Sequence, residues 1–244
     1  MKLLEFQNIK KRFKRFQVLN NVSFNIQSGE IFGLVGRSGS GKTTLLKILM
    51  GMSRPDYGSI TFEDKNVLRR PNYLRERTGY ATQENMLFGE LSIKENSFYF
   101  GDLYGVKKSN VKITFDKLIN LLGLTGFEDT YVDNLSGGMK KRANILVSLI
   151  HSPKLLMLDE PTVGLDSLLR KTIWDYIHQI NKSGTTIFVT SHLLEEIEEN
   201  CDRIAILKRG KIVAIATPKE YRKAYGNRKP FKEIFEEMIK DESI

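Results

Sequence analysis

The residues Gly36-Arg37-Ser38-Gly39-Ser40-Gly41-Lys42-Thr43 read G-x-x-x-x-G-K-T. Glycines let a backbone wrap closely, so that successive N–H groups point inward at anionic oxygens. A lysine followed by a hydroxyl residue completes the chemistry of a polyphosphate cradle. Lys42 reaches β- and γ-phosphate oxygens, and the Thr43 hydroxyl is placed for Mg²⁺. The flanks supply the scaffold. Ile31-Phe32-Gly33-Leu34-Val35 is an apolar run of buried-strand type. Thr44-Leu45-Leu46-Lys47-Ile48-Leu49-Met50 is apolar at helical spacing and closed by Gly51. Strand, glycine-rich loop and helix in that order are the context of a P-loop, and the helix adds the positive end of its dipole.

Two further strands end on chemistry. Leu155-Leu156-Met157-Leu158 runs into Asp159-Glu160-Pro161, and Thr185-Thr186-Ile187-Phe188-Val189 runs into Thr190-Ser191-His192. In parallel α/β sheets, ligands sit at the carboxyl ends of strands. An apolar strand ending on an acid is the Walker B pattern, so Asp159 is the candidate Mg²⁺ ligand. Glu160, one residue on, is placed to take a proton from attacking water, a role worth about 10²–10⁴-fold in rate. His192 is a candidate by its position after a core strand. On the residues alone, a purely structural histidine stays equally open.

The rest of the composition sets bounds. A chain of 244 residues fits one large domain or two small ones. Cys201 is the single cysteine, so there is no disulfide framework and a reducing setting is expected. Met1-Lys2-Leu3-Leu4-Glu5 meets charge too early for a secretory signal. No run approaches the roughly 18–20 apolar residues of a membrane helix. The expectation is a cytosolic protein whose membrane role, if any, comes through a partner. The formal net charge of +9 permits nucleic acid, acidic lipid or polyphosphate as neighbours without choosing among them. Its densest cluster, Lys10-Lys11-Arg12-Phe13-Lys14-Arg15-Phe16, reads as a nucleic-acid patch or as a solvated hairpin with inward aromatics; the hairpin is preferred.

The elements that must position these residues follow from patterning. Val22, Phe24 and Ile26 alternate with Asn21, Ser23 and Asn25, giving a half-buried strand before the turn at Ser28-Gly29. Arg54-Pro55-Asp56-Tyr57-Gly58 is turn chemistry, Ile60 and Phe62 mark a short strand, and Thr78–Gln83 is a strand with a polar end. From about Glu90 the texture becomes helical. Ser92-Ile93-Lys94-Glu95 is a capping box, breaks fall near Gly105 and Gly123, and Leu118, Leu121 and Leu122 share a helical face. Ser136-Gly137-Gly138 leads into a helix carrying Ile145, Leu146 and Leu149. Leu169, Ile173, Ile177 and Ile180 form another helical stripe. Ile204–Leu207 and Ile212–Ile215 make a hairpin, and Thr217-Pro218-Lys219-Glu220 is a second capping box. Phe231, Ile234, Phe235, Met238 and Ile239 predict an amphipathic helix packed on its own domain.

With these residues in hand, the sequence resembles the ATPase subunits of ABC transporters. Leu135-Ser136-Gly137-Gly138-Met139 is similar to the family signature and stands upstream of Leu155–Pro161 at the family's spacing. The resemblance spans nearly the whole chain. It implies that Phe13, or else Phe16, stacks on adenine with Val18 nearby, which agrees with the hairpin reading. Gly36, Arg37, Ser38, Gly39, Ser40, Gly41, Lys42, Thr43 and Thr44 bind the phosphates. Gln83 is the Q-loop glutamine, touching Mg²⁺ and water and sensing the membrane partner. Ser136, Gly137 and Gly138 are presented to ATP held by the opposite subunit. Asp159 supports Mg²⁺, Glu160 is the catalytic carboxylate, and Gly164-Leu165-Asp166 is the D-loop at a dimer interface. His192 is the switch histidine at the γ-phosphate.

The resemblance therefore implies a P-loop NTPase α/β core with a mixed, mainly parallel sheet flanked by helices. An antiparallel N-terminal part and an inserted helical subdomain complete it. Residues 1–89 and 151–216 form the core, 90–150 the signature subdomain, and 217–244 a helical tail. ATP and Mg²⁺ are the cofactors. The partners are an identical or sister ATPase, closing a two-ATP sandwich, and separate transmembrane permease subunits docked near Gln83–Leu91. The chain itself has no membrane span and sits peripherally on the cytoplasmic face of the membrane. Met139 stands where many members have glutamine, and Ser167 replaces a frequent proline. Met139, the Glu160–Asp166 run and the Phe231–Phe235 tail are similar to the daunorubicin-type drug-efflux branch, which points to export. An ABC-type ATPase working on ribosomes or nucleic acid is the alternative. Relatives of that kind usually fuse two ATPase domains or carry long coiled coils, for which this chain is too short. A P-loop kinase or GTPase has no use for the Ser-Gly-Gly signature, and no Asn-Lys-x-Asp guanine reader is present.

Overall fold

The computed structural model describes residues 1–84, 86–226 and 229–240. The first elements are strands β1 (Lys2–Phe13), β2 (Phe16–Gln27) and β3 (Ile31–Val35), helix α1 (Lys42–Leu49), strands β4 (Tyr57–Phe62) and β5 (Lys65–Asn66), and helix α2 (Pro71–Arg75). Next come β6 (Thr78–Ala81), α3 (Ile93–Leu103), α4 (Lys108–Leu121), a 3₁₀ turn (Val132–Asn134), α5 (Gly137–Ser148), β7 (Leu155–Asp159) and α6 (Ser167–Lys182). The last are β8 (Thr186–Ser191), α7 (Leu194–Asn200), β9 (Arg203–Lys208), β10 (Lys211–Ala216), α8 (Pro218–Tyr225) and α9 (Phe231–Ile239). The class is α/β, as the patterning predicts. The chain divides into two compact units, Met1–Leu74 with Phe188–Ile244, and Arg75–Ile187.

In the first unit, β2-β1-β4-β5 form an antiparallel sheet, and a second sheet runs β10-β9-β3-β8. β3 and β9 are parallel, pairing Phe32 with Arg203 and Val35 with Ile206. The core between the sheets is aromatic. Phe24 stacks on Phe6 with centroids 4.4 Å apart and on Phe32 at 5.4 Å, and Phe188 meets both Phe24 and Phe32 edge-on. The start of β3 is pinned by the Asp202 carboxylate, which accepts from the Ile31 N–H at 2.8 Å. Gly33 lets α7 press against β3, since a Cβ there would stand 2.9 Å from Ile197 Cγ2. The carboxyl end of β3 is thus held at a fixed height, where the loop Gly36–Thr43 begins.

In the second unit, β6 and β7 pair in parallel, Thr78 with Leu155 and Ala81 with Leu158. The helical part is tied to the loop that leads into it by one buried amide. Asn96 accepts from the Phe88 N–H at 2.9 Å and donates to the Phe88, Leu91 and Ser92 carbonyls. The predicted capping box opens α3: Ser92 Oγ accepts from the Glu95 N–H, and the Glu95 carboxylate accepts from the Ser92 N–H. The second predicted box, at Thr217 and Glu220, opens α8 of the first unit in the same way.

Several expectations are corrected. The aromatics of the Lys10–Phe16 hairpin do not turn inward: Phe13 is 49% and Phe16 77% exposed. They sit opposite each other at the last pair of β1 and β2. Of the predicted face Leu118, Leu121 and Leu122, Leu122 is buried and Leu118 and Leu121 are half-buried. α4 buries Val111, Phe115 and Ile119, and Gly101 on α3 admits Val111, whose Cγ2 would stand 2.4 Å from a Cβ at that position. Leu118 and Leu121 instead line an open groove of about 410 Å³ together with Leu149 and Ile180. Tyr57 and Gly58, predicted as turn, begin β4. Gly58, at φ 99°, approaches so closely that a Cβ would meet Gln7 O at 2.5 Å. β8 continues through Thr190 and Ser191, both buried. α9 buries Phe231, Ile234, Phe235 and Ile239 of the predicted face and leaves Met238 half-buried. Residues 227, 228 and 241–244 of the predicted tail, and Asn85 of the predicted docking stretch, lie outside the described residues. Among the described residues, no helix is long and apolar enough to cross a membrane.

Candidate functional site

The candidate residues of the first unit gather around the end of β3. All five residues of β3 are buried, so the strand delivers the loop at a rigid edge. Gly36 admits no side chain: a Cβ would lie 2.5 Å from Leu207 O and 2.5 Å from Ser40 Oγ. The loop turns at Arg37, whose carbonyl accepts from the Ser40 N–H at 3.0 Å. Gly39 and Gly41 take positive φ, 77° and 113°, a region in which L side chains are strained. Gly41 is the N-cap of α1, and no side chain caps that helix, nor does an acid stand in its first turn. The N-terminal N–H groups and dipole of α1 are therefore presented to an anion rather than to a carboxylate of the protein. Lys42 is 8% exposed, and its ammonium bends over the loop to donate to Gly36 O at 2.8 Å. Ser40 Oγ is buried and has no hydrogen-bond partner among the described residues. Thr43 is exposed and Thr44 half-buried.

Val18 belongs to the same neighbourhood. Its carbonyl would stand 3.0 Å from a Cβ at Gly41 and 2.2 Å from one at Gly210, so β2, the loop and the β9–β10 turn pack backbone to backbone. Phe13 stands exposed at the end of β1. His192 is exposed directly after β8, where the Ser191 hydroxyl accepts from the Leu193 N–H at 3.0 Å and turns the chain.

The second unit holds the carboxylates and the signature. Asp159 ends β7 and is 5% exposed; Glu160 is 8% exposed. Glu160 takes φ 53°. A non-glycine residue held in the left-handed region is a local strain of the kind that clusters at working sites. The Tyr80 hydroxyl, from the adjacent strand β6, donates to Asp159 Oδ2 at 3.3 Å. Burial first, then the charge of Asp159, pushes the Tyr80 hydroxyl well above its ordinary range, so it stays a donor. Lys141 on α5 donates to the Gln83 carbonyl at 2.5 Å, and Asn144 donates to the Thr82 carbonyl at 3.2 Å. Burial lowers the Lys141 ammonium's pKa, with Asp159 and Glu160 pulling the other way. Gln83 is thereby fixed two residues beyond β6, with its carbonyl tied to α5.

Ser136 is the N-cap of α5, its hydroxyl accepting from the Met139 N–H at 3.3 Å. A Cβ at Gly137 would meet nothing within 4 Å, so the backbone there is open, whereas Gly138 is buried against Leu169 of α6. Asp166 caps α6, its carboxylate accepting from the Leu169 N–H at 3.0 Å. The structure thus groups Phe13, Val18, Gly36–Thr44 and His192 in one unit, and Gln83, Ser136–Gly138, Asp159, Glu160 and Asp166 in the other. Tyr80, Lys141 and Asn144 belong to no motif that the sequence singles out. The signals were present: Tyr80 shares a strand face with Thr78, and Lys141 and Asn144 are one helical turn apart on the helix that Ser136 opens.

A sequence profile of the ABC transporter family matches residues 19–163. The chain is 36% identical to the Nod factor export ATP-binding protein I of Burkholderia lata, over 88% of this chain and 71% of that protein. It is also 36% identical to the linearmycin resistance ATP-binding protein LnrL of Bacillus subtilis strain 168, over 88% of this chain and 69% of that protein. A solved structure of the ATP binding subunit of an ABC transporter superposes with a TM-score of 0.88 at 26% identity, covering 98% of this chain and all of that one. Kinship of this extent reaches across sequence and fold alike, and the chain belongs to the ABC transporter family as one of its ATP-binding, ATP-hydrolysing subunits.

Proposed function

We propose that this subunit powers export through separate transmembrane permease subunits, held on the cytoplasmic face of the membrane by them. The printed functions of its relatives, Nod factor export and linearmycin resistance, support the direction of transport. The observation that carries the nucleotide reading is the loop itself. It combines a helix N-terminus with no side-chain cap, a buried unpartnered serine hydroxyl and a lysine ammonium bent over the loop.

In this reading Gly36–Thr44 hold the ATP phosphates, and Phe13 stacks on the adenine beside Val18. Thr43, Asp159 and Gln83 are oxygen donors of the hard type that suits Mg²⁺. No cluster of three acids or histidines stands among the described residues. Mg²⁺ needs none, because it commonly takes most of its ligands from water and phosphate. Glu160 accepts a proton from the water that attacks the γ-phosphorus, and the P–O bond to the β-phosphate breaks as ADP leaves. Lys42 and the loop N–H groups stabilise charge on the transferred phosphoryl group, and His192 contacts its oxygens.

A second ATPase subunit, identical or a sister chain, supplies Ser136, Gly137 and Gly138 to the same nucleotide. Asp166 lies at the seam between them. Residues 1–89 and 151–216 act as the nucleotide-binding core, 90–150 as the signature subdomain and 217–244 as a closing tail. Gln83 passes the nucleotide state to the permease. The test is purification of tagged full-length protein in mild detergent from its native cells, with co-purifying chains identified by mass spectrometry. A polytopic membrane protein at near-equal amount is expected. Ribosomal or DNA-repair proteins with no membrane protein overturn the export reading.

A further inference from the structure

The end of β1 is held by a single carboxylate. Asp56, in the turn after α1, accepts from the Arg12 N–H at 2.6 Å and from the Lys11 ammonium at 3.3 Å, while its own N–H donates to Lys10 O at 2.8 Å. The Arg12 N–H first, with Lys11 adding to it, keeps the Asp56 carboxyl below its ordinary range. The Lys11 ammonium also donates to Arg54 O at 2.7 Å. Its side chain is only 14% exposed, unusual for a lysine on a hairpin arm. The ammonium held in this way stands 5.2 Å from the centroid of the Phe13 ring. Lys11 and Phe13 are two residues apart on one strand and so share a face. Among the described residues no cation stands over the ring of Phe16, which lies directly opposite Phe13 and is the more exposed of the two.

We infer that Lys11 is a positioning residue for the nucleobase, its ammonium covering one face of Phe13 so that a purine stacks on the other. The inference rests on the reading of Phe13 as the adenine-stacking residue. Two effects act together. The cation occupies one face and leaves a single stacking surface, which fixes the side from which the base enters. It also draws on the ring's π density, and a ring depleted on one side is a better partner for an electron-rich purine on the other. Because the ammonium is bonded to the Arg54 carbonyl and the Asp56 carboxylate, it stays at the ring instead of swinging toward phosphate.

The experiment compares two ligands on the full chain by calorimetry: ATP, which has a base, and inorganic tripolyphosphate, which has none. Lys11→Met is expected to weaken ATP about 2- to 5-fold, the range of an exposed cation–π contact, and to leave tripolyphosphate unchanged. Lys11→Arg restores ATP, since a guanidinium covers a ring and reaches a carboxylate equally well. Equal weakening of both ligands, or no rescue by arginine, makes Lys11 a scaffold residue and overturns the inference, as does unchanged ATP binding. Phe13→Ala separates the two readings. If it fails to weaken ATP relative to tripolyphosphate, the stacking role of Phe13 is wrong. If it does weaken ATP while Lys11→Met does not, Phe13 stands and Lys11 alone is dismissed. Thermal melts of each variant report any loss of fold independently of either ligand.

Discussion

The Tyr80 hydroxyl donates to the Asp159 carboxylate, Oη to Oδ2 at 3.3 Å. The two residues lie on adjacent parallel strands, where Tyr80 pairs with Met157, two residues before Asp159. The donor therefore reaches the carboxylate diagonally across the ladder. A carboxylate with a fixed donor on one oxygen has the other oriented for a ligand. Tyr80→Phe is expected to lower Mg²⁺-dependent ATP turnover about 10-fold and to raise the Mg²⁺ concentration at half-maximal rate. ATP binding in the presence of EDTA is expected to stay the same. A Mg²⁺ titration of the ATPase rate checks it, and a parental curve removes Tyr80 from the site.

Glu160→Gln tests the carboxylate one residue on. The substitution keeps shape and keeps the strained φ of 53° at this position, so stability is expected to hold. With Glu160 as the proposed proton acceptor, single-turnover hydrolysis of this variant is expected to slow by about 10²–10⁴-fold. With hydrolysis blocked, added ATP is expected to hold two subunits together as a dimer on size exclusion. Turnover at the parental rate would falsify the assigned role.

The local parts of this arrangement are legible in the sequence. Both capping boxes, the buried run of β3, the acid ending β7 and the apolar face of α9 are patterns within a dozen residues, and each forms as read. What escapes the sequence is contact between segments distant in the chain. Lys11 meets Asp56 across 45 positions, and Tyr80 meets Asp159 across 79. The spacing of Val111, Phe115 and Ile119 marks the buried face of α4, but the gap that seats Val111 is left by Gly101 of a different helix, which no periodicity within α4 reports. The exposed aromatics of the first hairpin follow the same logic. Alternation identifies a face, but only the extent of the covering elements decides where that face ceases to be covered.

Gly79 offers a test of one such long-range approach. A Cβ at this position of β6 would stand 2.1 Å from the Ser148 carbonyl oxygen and 3.2 Å from Leu156 Cδ1. The oxygen belongs to backbone at the end of α5, which has no rotamer to yield. Gly79→Ala is expected to cost about 1–3 kcal/mol by overpacking. For a chain of this size that lowers Tm by roughly 2–12 °C. Gly137→Ala, where a Cβ meets nothing within 4 Å, serves as the control on the same unit and is expected to leave Tm nearly unchanged. Equal melting of the two variants contradicts the close approach of β6 to α5.

The buried hydroxyl of Tyr221 sets a limit at alkaline pH. Tyr221 is 3% exposed, donates to the Ile204 carbonyl at 3.0 Å and packs against Phe231 of α9 with centroids 5.3 Å apart. Burial, with the neighbouring Tyr225 adding to it, pushes its pKa above the ordinary value of 10.0. A raised pKa in the folded state means that the unfolded chain loses this proton first. The contribution to stability is therefore fully present below about pH 10 and is lost as pH rises through the folded-state value. Tyr221→Phe removes the titrating group and the hydrogen bond together. At neutral pH it is expected to be less stable by about 1 kcal/mol, because the Ile204 carbonyl loses its donor. Above pH 10 the difference is expected to narrow, since only the parent continues to lose stability from this site. Urea melts of both proteins at pH 8, 10 and 11 measure it. A gap that stays constant across that series shows that the hydroxyl titrates alike in both states and that its burial is not felt.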